Sequence, residues 1–121
     1  MNRVIFAAAS MALVAAIVVS PATARAKPVS FKLEIKPVLQ KNCYGCHNAN
    51  NAKGGLDLTT KAAILKGGSE GKLFKAGKGA ESLLVKRLKG KGGTQMPMGE
   101  PALKSAQIKL VTRWINEGGK F

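Results

Sequence analysis

Cys43, Cys46 and His47 stand together in the pentapeptide Cys43-Tyr44-Gly45-Cys46-His47, and they are both cysteines and the single histidine of a 121-residue chain. A zinc site takes four ligands, usually from Cys and His, so a carboxylate would have to complete one here. A thioredoxin-like redox pair needs strand–helix alternation around it, and the sequence has none; a structural disulfide is the remaining plain use of two thiols. The C-x-x-C-H spacing also suits attachment of a c-type haem. There the thiols add across the two vinyl groups of the porphyrin, and the imidazole becomes the proximal ligand to the iron. One helical turn brings all three bonds to one side of the haem. The motif therefore predicts one covalently attached haem c, tethered by Cys43 and Cys46 and ligated by His47.

A second axial ligand must come from elsewhere, and no second histidine exists. The soft, neutral candidates are Met96 and Met98, in the stretch Gln95-Met96-Pro97-Met98-Gly99-Glu100. Met96 is the better placed, because the proline after it fixes an extended backbone at the ligand. Met/His ligation raises the potential and suits an electron carrier. A lysine could bind only after giving up its proton, and an open sixth position would allow small-molecule binding or peroxide chemistry.

The elements that must position these residues read as short helices. Ser30 is a candidate N-cap for the apolar series Phe31, Ile35, Val38 and Leu39, which leads straight into the pentapeptide. Pro37 belongs in a first turn, so the regular helix should begin near Lys36 and run to about Cys43 or Tyr44. Asn48 to Gly55 is loop by composition. Thr60 should cap a helix over 61–66 that Gly67 ends. A helix over 81–89 follows a loop over 67–79, and 91–101 is irregular. Ser105 should cap the last helix, whose apolar stripe is Ile108, Val111, Trp114 and Ile115, with Gly118 closing it. No segment alternates with strand period, so the fold class is all-α, short helices and long loops wrapped on a cofactor.

The chain opens with Met1-Asn2-Arg3 and an apolar run from Val4 to Ser20, then Pro21 and Ala24-Arg25-Ala26. This is the pattern of a secretory signal peptide cleaved after Ala26; the alternative is an uncleaved anchor, for which the run is near the lower limit. Cleavage leaves residues 27–121 as one small domain of 95 residues. Such a domain often needs a cofactor to complete its core, and this one holds a single Trp and a single Tyr. It would carry 18 Lys and Arg against 6 acids, a net +12. That field favours acidic protein partners; for an exported chain no nucleic-acid partner is expected, and no stable membrane insertion is expected after cleavage. C-x-x-C-H proteins receive their haem outside the bacterial cytoplasmic membrane, so the expected location is the periplasm.

Beyond the pentapeptide, an ordered set of stretches resembles the class I c-type cytochromes, and more closely the planctomycete-type cytochrome c domain. They are Phe31 to His47, Lys53-Gly54-Gly55-Leu56-Asp57-Leu58, Ala63 to Gly68, Glu81-Ser82-Leu83-Leu84, Met96-Pro97-x-Gly99-Glu100-Pro101 and Leu110 to Gly118. The resemblance implies thioether attachment at Cys43 and Cys46, proximal ligation by His47 and distal ligation by Met96. It also implies the small monohaem cytochrome c fold, with first and last helices crossing near Trp114. Met98 stands where relatives often carry a second proline. The expected function is one-electron transfer between redox proteins, without enzymatic activity. The rival is a haem enzyme or gas sensor with an open or displaceable sixth iron site.

Overall fold

The computed structural model describes residues 14–121, so the apolar start of the expected signal peptide lies outside the described residues. Residues 14–26 form no regular element, and Val14, Ile17, Val18 and Val19 are exposed. No helix among the described residues is long and apolar enough to cross a membrane.

Helical structure begins earlier than Pro37 suggested. Ser30 caps it as expected, its Oγ accepting from Leu33 N–H at 3.3 Å, and residues Phe31–Ile35 wind as a π-helical turn. Lys36 N–H reaches back to Phe31 O, and α1 (Lys36–Asn42) continues from there with Pro37 in its first turn. Pro37 has no N–H for the carbonyl four residues back, and its ring would crowd that carbonyl in a tight α-turn; the wider π turn absorbs the mismatch. Helix α1 stops at Asn42, one residue short of the expected range, where Cys43 takes a φ of −127°.

Helix α2 (Lys61–Lys66) matches its sequence signals at both ends. Thr60 Oγ1 accepts from Ala63 N–H at 3.1 Å, and Gly67 leaves the helix at φ 79°. Helix α3 spans Leu83–Leu88, two residues shorter at its start than the 81–89 reading. Ser82 is the reason: it is 2% exposed, and its Oγ accepts from Lys75 N–H at 3.0 Å and donates to Lys78 O at 2.8 Å. Those bonds hold it in the preceding turn. Helix α4 (Ser105–Asn116) buries Val111, Trp114 and Ile115. Ser105 is its first helical residue rather than its cap; Lys104 holds the cap position, and Gln107 Oε1 accepts from its backbone N–H at 3.0 Å.

Among the described residues the only extended pairings are two isolated bridges, His47 with Ala52 and Gly68 with Gly71. The fold is all-α. Its core joins Ile35 and Leu39 of the first helical segment to Val85 and Leu88 of α3 and to Val111 and Ile115 of α4. Phe31 packs on Trp114 with ring centroids 5.4 Å apart, Phe74 lies 4.9 Å from Trp114, and Phe121 meets Trp114 edge-on at 5.5 Å. Such pairs add about 0.5–1.5 kcal/mol each beyond area burial. Trp114 thus sits where the first helical segment meets the last helix, and its Nε1 donates to Lys120 O at 2.7 Å.

Two connections close the body. The loop over 67–79 crosses α4 at Gly79, where a Cβ would meet Thr112 O at 2.7 Å; Gly79 N–H donates to Asn116 Oδ1 at 2.7 Å. The N-terminal segment is clasped by α4: Val29 N–H donates to Glu117 Oε2 at 2.7 Å, and Arg113 Nη2 donates to Lys27 O at 2.6 Å.

Candidate haem site

The pentapeptide is a single turn continuing from α1. Cys43 O accepts from Cys46 N–H at 3.2 Å and from His47 N–H at 3.0 Å. The other carbonyls are taken by the residues that follow. Asn48 Nδ2 donates to Tyr44 O at 2.6 Å, and Asn51 Nδ2 donates to Gly45 O at 3.1 Å. Lys53 N–H donates to Cys46 O at 3.1 Å, and Leu58 N–H donates to His47 O at 3.1 Å. Every carbonyl of Cys43–His47 is therefore held, and Asn48 Oδ1 fastens the turn itself by accepting from Asn50 and Asn51 N–H.

His47 is oriented by its own ring. Its Nδ1 lies 3.2 Å from Leu56 O, and a carbonyl accepts only from a protonated nitrogen, so Nδ1 carries the hydrogen and Nε2 is left with its lone pair. That is the second-shell arrangement typical of a metal-ligating imidazole. Both thiols are free. Cys43 is half-buried, and burial pushes its thiol up to about 11; the same surroundings suit an uncharged thioether sulfur. Tyr44 is pushed up by burial and, less strongly, by Asp57 and Cys43. Asp57 is held below its usual value by the Thr59 hydroxyl and Thr59 N–H.

Cys43, Cys46 and His47 line a cavity of about 880 Å³, and Met96 and Met98 line the same cavity. Leu56, Leu58, Leu73, Leu83, Leu84, Leu88 and Leu103 form the aliphatic part of its wall, and Lys41, Lys53, Glu70, Arg87, Glu100 and Lys104 line it as well. The volume falls in the upper part of the about 300–1,000 Å³ range of small-molecule and cofactor sites. Gly68 lets the loop over 67–71 close against this wall: a Cβ there would meet Gly54 O at 2.6 Å and Leu56 Cβ at 3.1 Å. Met96 is half-buried, with its N–H donating to Arg87 O at 2.9 Å, whereas Met98 is 61% exposed.

Residues 43–98 match the family model described as planctomycete cytochrome C. The match supports a planctomycete-type cytochrome c domain in this segment. No curated protein and no solved structure matches the chain. The family implies covalently bound haem c, and the residues present fit it: two free thiols, an imidazole whose Nδ1 is hydrogen-bonded and a thioether-bearing loop all line one cavity. Among the described residues no group of three or more His, Cys, Asp and Glu is placed to hold a metal ion.

The four residues singled out from sequence, Cys43, Cys46, His47 and Met96, are thus brought to a single cavity, with Met98 beside them. Sequence reading missed the groups that hold them. Asn48 and Asn51 were legible only as loop composition, although an amide directly after the histidine is the kind of side chain that satisfies turn carbonyls. Leu56 acts through its main-chain oxygen, which no residue type announces. Arg87 had no signal at all.

Proposed function

We propose that this protein is a periplasmic monohaem electron carrier, exported by cleavage after Ala26, with His47 and Met96 as axial ligands. The observation that carries the reading is the shared cavity of Cys43, Cys46, His47 and Met96, together with the Leu56 carbonyl on His47 Nδ1. Bound haem supplies a one-electron Fe(III)/Fe(II) couple. Cys43 and Cys46 would hold the group covalently as thioethers, and His47 would ligate through Nε2 because Leu56 O takes the hydrogen on Nδ1. Met96 would offer its neutral thioether sulfur from the loop after α3, and the leucines around the cavity would shield that sulfur from water. The lysines support brief, salt-sensitive encounters with acidic redox partners.

The test is spectroscopic. Met96→Ala should abolish the methionine-to-iron band near the red end of the oxidised spectrum, lower the reduction potential and open the protein to carbon monoxide. Met98→Ala should keep the band. A band lost in Met98→Ala and kept in Met96→Ala moves the ligand to Met98. Absence of the band from the unsubstituted holoprotein would instead favour a haem enzyme or sensor with an open site.

A further inference from the structure

We infer that Arg87 is the positioning residue for the distal methionine, a role that rests on the reading of Met96 as an iron ligand. Arg87 stands near the C-terminal end of α3 with its side chain only 16% exposed. It holds the methionine loop at two points. Its backbone carbonyl accepts from Met96 N–H at 2.9 Å, and its Nη1 donates to Thr94 O at 3.3 Å. Its Nη2 pairs with the Glu70 carboxylate, which belongs to the loop over 67–79 on another wall of the same cavity. One guanidinium thus joins two loops that line the candidate haem site.

The loop is shaped around that side chain. Gly90 turns the chain out of α3 at φ 68°, and Gly93 crosses the guanidinium at φ 135° so closely that a Cβ would overlap Nη1 and Cζ. Lys91 N–H returns to Lys86 O at 2.8 Å, and Gln95 Nε2 reaches Leu88 O at 3.4 Å. Residues 90–96 therefore wrap Arg87 and deliver Met96 at a defined place, while Met98 beyond them is 61% exposed. A lysine keeps the charge but lacks the planar fork needed to serve Thr94 and Glu70 together.

Loss of this tether frees the loop backbone, and the regained conformational freedom favours departure of the Met96 sulfur from the iron. Exogenous imidazole reports that departure directly, because it competes for the sixth position of the ferric holoprotein. Arg87→Lys should bind imidazole about tenfold more tightly than the unsubstituted protein, equivalent to about 1.4 kcal/mol, and weaken the methionine-to-iron band. Glu70→Gln, which leaves the bond to Thr94 in place, should show a smaller change of the same sign and keeps the test open if Arg87→Lys folds poorly. Glu117→Gln weakens the clasp at the far end of α4 and should leave imidazole affinity unchanged. Imidazole affinity unchanged in Arg87→Lys and Glu70→Gln overturns the inference, as does an equal rise in Glu117→Gln, which would trace the effect to general destabilisation. A missing methionine band in the unsubstituted holoprotein overturns the ligand reading itself, and the inference with it.

Discussion

At the scale of single residues, the C-x-x-C-H turn is specified by few side chains and held by many main-chain bonds. Removing either thiol removes one of two tethers, so Cys43→Ala or Cys46→Ala matured with haem should carry haem through one bond and give a sharply lower yield. Denaturing mass spectrometry of the unsubstituted holoprotein should show one haem added; an unmodified mass would sink the attachment. Two glycines that line the cavity, Gly68 and Gly45, separate steric need from simple permissiveness. Gly68 meets Gly54 O and Leu56 Cβ, and a methyl group there must push the very residue that holds His47. Gly68→Ala should cost about 1–3 kcal/mol, the usual range for overpacking. Gly45, inside the pentapeptide, has nothing within 4 Å of a Cβ, and Gly45→Ala should stay within about 0.5 kcal/mol of the parent. Urea unfolding of both holoproteins measures the contrast, and equal losses would refute it.

The elements show the same division between local signal and tertiary demand. Helix α2 is read correctly to the residue because both its ends are set by side chains within the segment, Thr60 at the start and Gly67 at the finish. Helix α3 is not, because its start is set by Ser82, whose partners Lys75 and Lys78 lie in the loop before it. Ser82→Ala should take away the buried hydroxyl that serves Lys75 N–H and Lys78 O, and cost about 1–3 kcal/mol. A thermal midpoint equal to the parent would show that water replaces the hydroxyl. Thr60→Ala, at an exposed cap, should cost about 1 kcal/mol. On α4, Trp114→Ala would empty the centre of the aromatic cluster and should cost about 3–5 kcal/mol.

Across the whole molecule, charge and chain ends matter most. Glu117 links α4 to the N-terminal segment, and its carboxyl is held below its ordinary value of 4.5 by Val29 N–H first and Arg113 second. A carboxyl with a depressed folded pKa stabilises above the ordinary value, and that stabilisation is lost as pH falls through the folded one. Glu117→Gln should therefore be less stable than the parent at neutral pH, with the difference vanishing in acid. A difference that persists unchanged below pH 4.5 would assign the loss to packing instead. The net charge, +14 over the full sequence and +12 over residues 27–121, makes a second whole-molecule prediction. Oxidation of the reduced holoprotein by an anionic complex such as ferricyanide should slow as salt rises, since screening acts within about 10 Å at 0.1 M. Oxidation by a cationic cobalt complex should quicken. Rates indifferent to salt would mean that the lysines set no field at the site of transfer.

Residue types and short spacings alone specify two thiols and an imidazole in one pentapeptide, two late methionines, the all-α class and the approximate place of each helix. These are legible because they depend on residue type and on neighbours three or four positions away. Pro37 likewise announced where α1 begins, although not that the turn before it would widen to a π helix. Contacts made by main-chain atoms and by residues distant in sequence arise only once the chain has folded. Leu56 O on His47 Nδ1, the Ser82 hydroxyl between two loop positions, and Arg87 spanning Glu70 and Thr94 all belong to this group. A carbonyl oxygen is the same in every residue, so its partner is chosen by where the folded chain passes and not by anything written at that position.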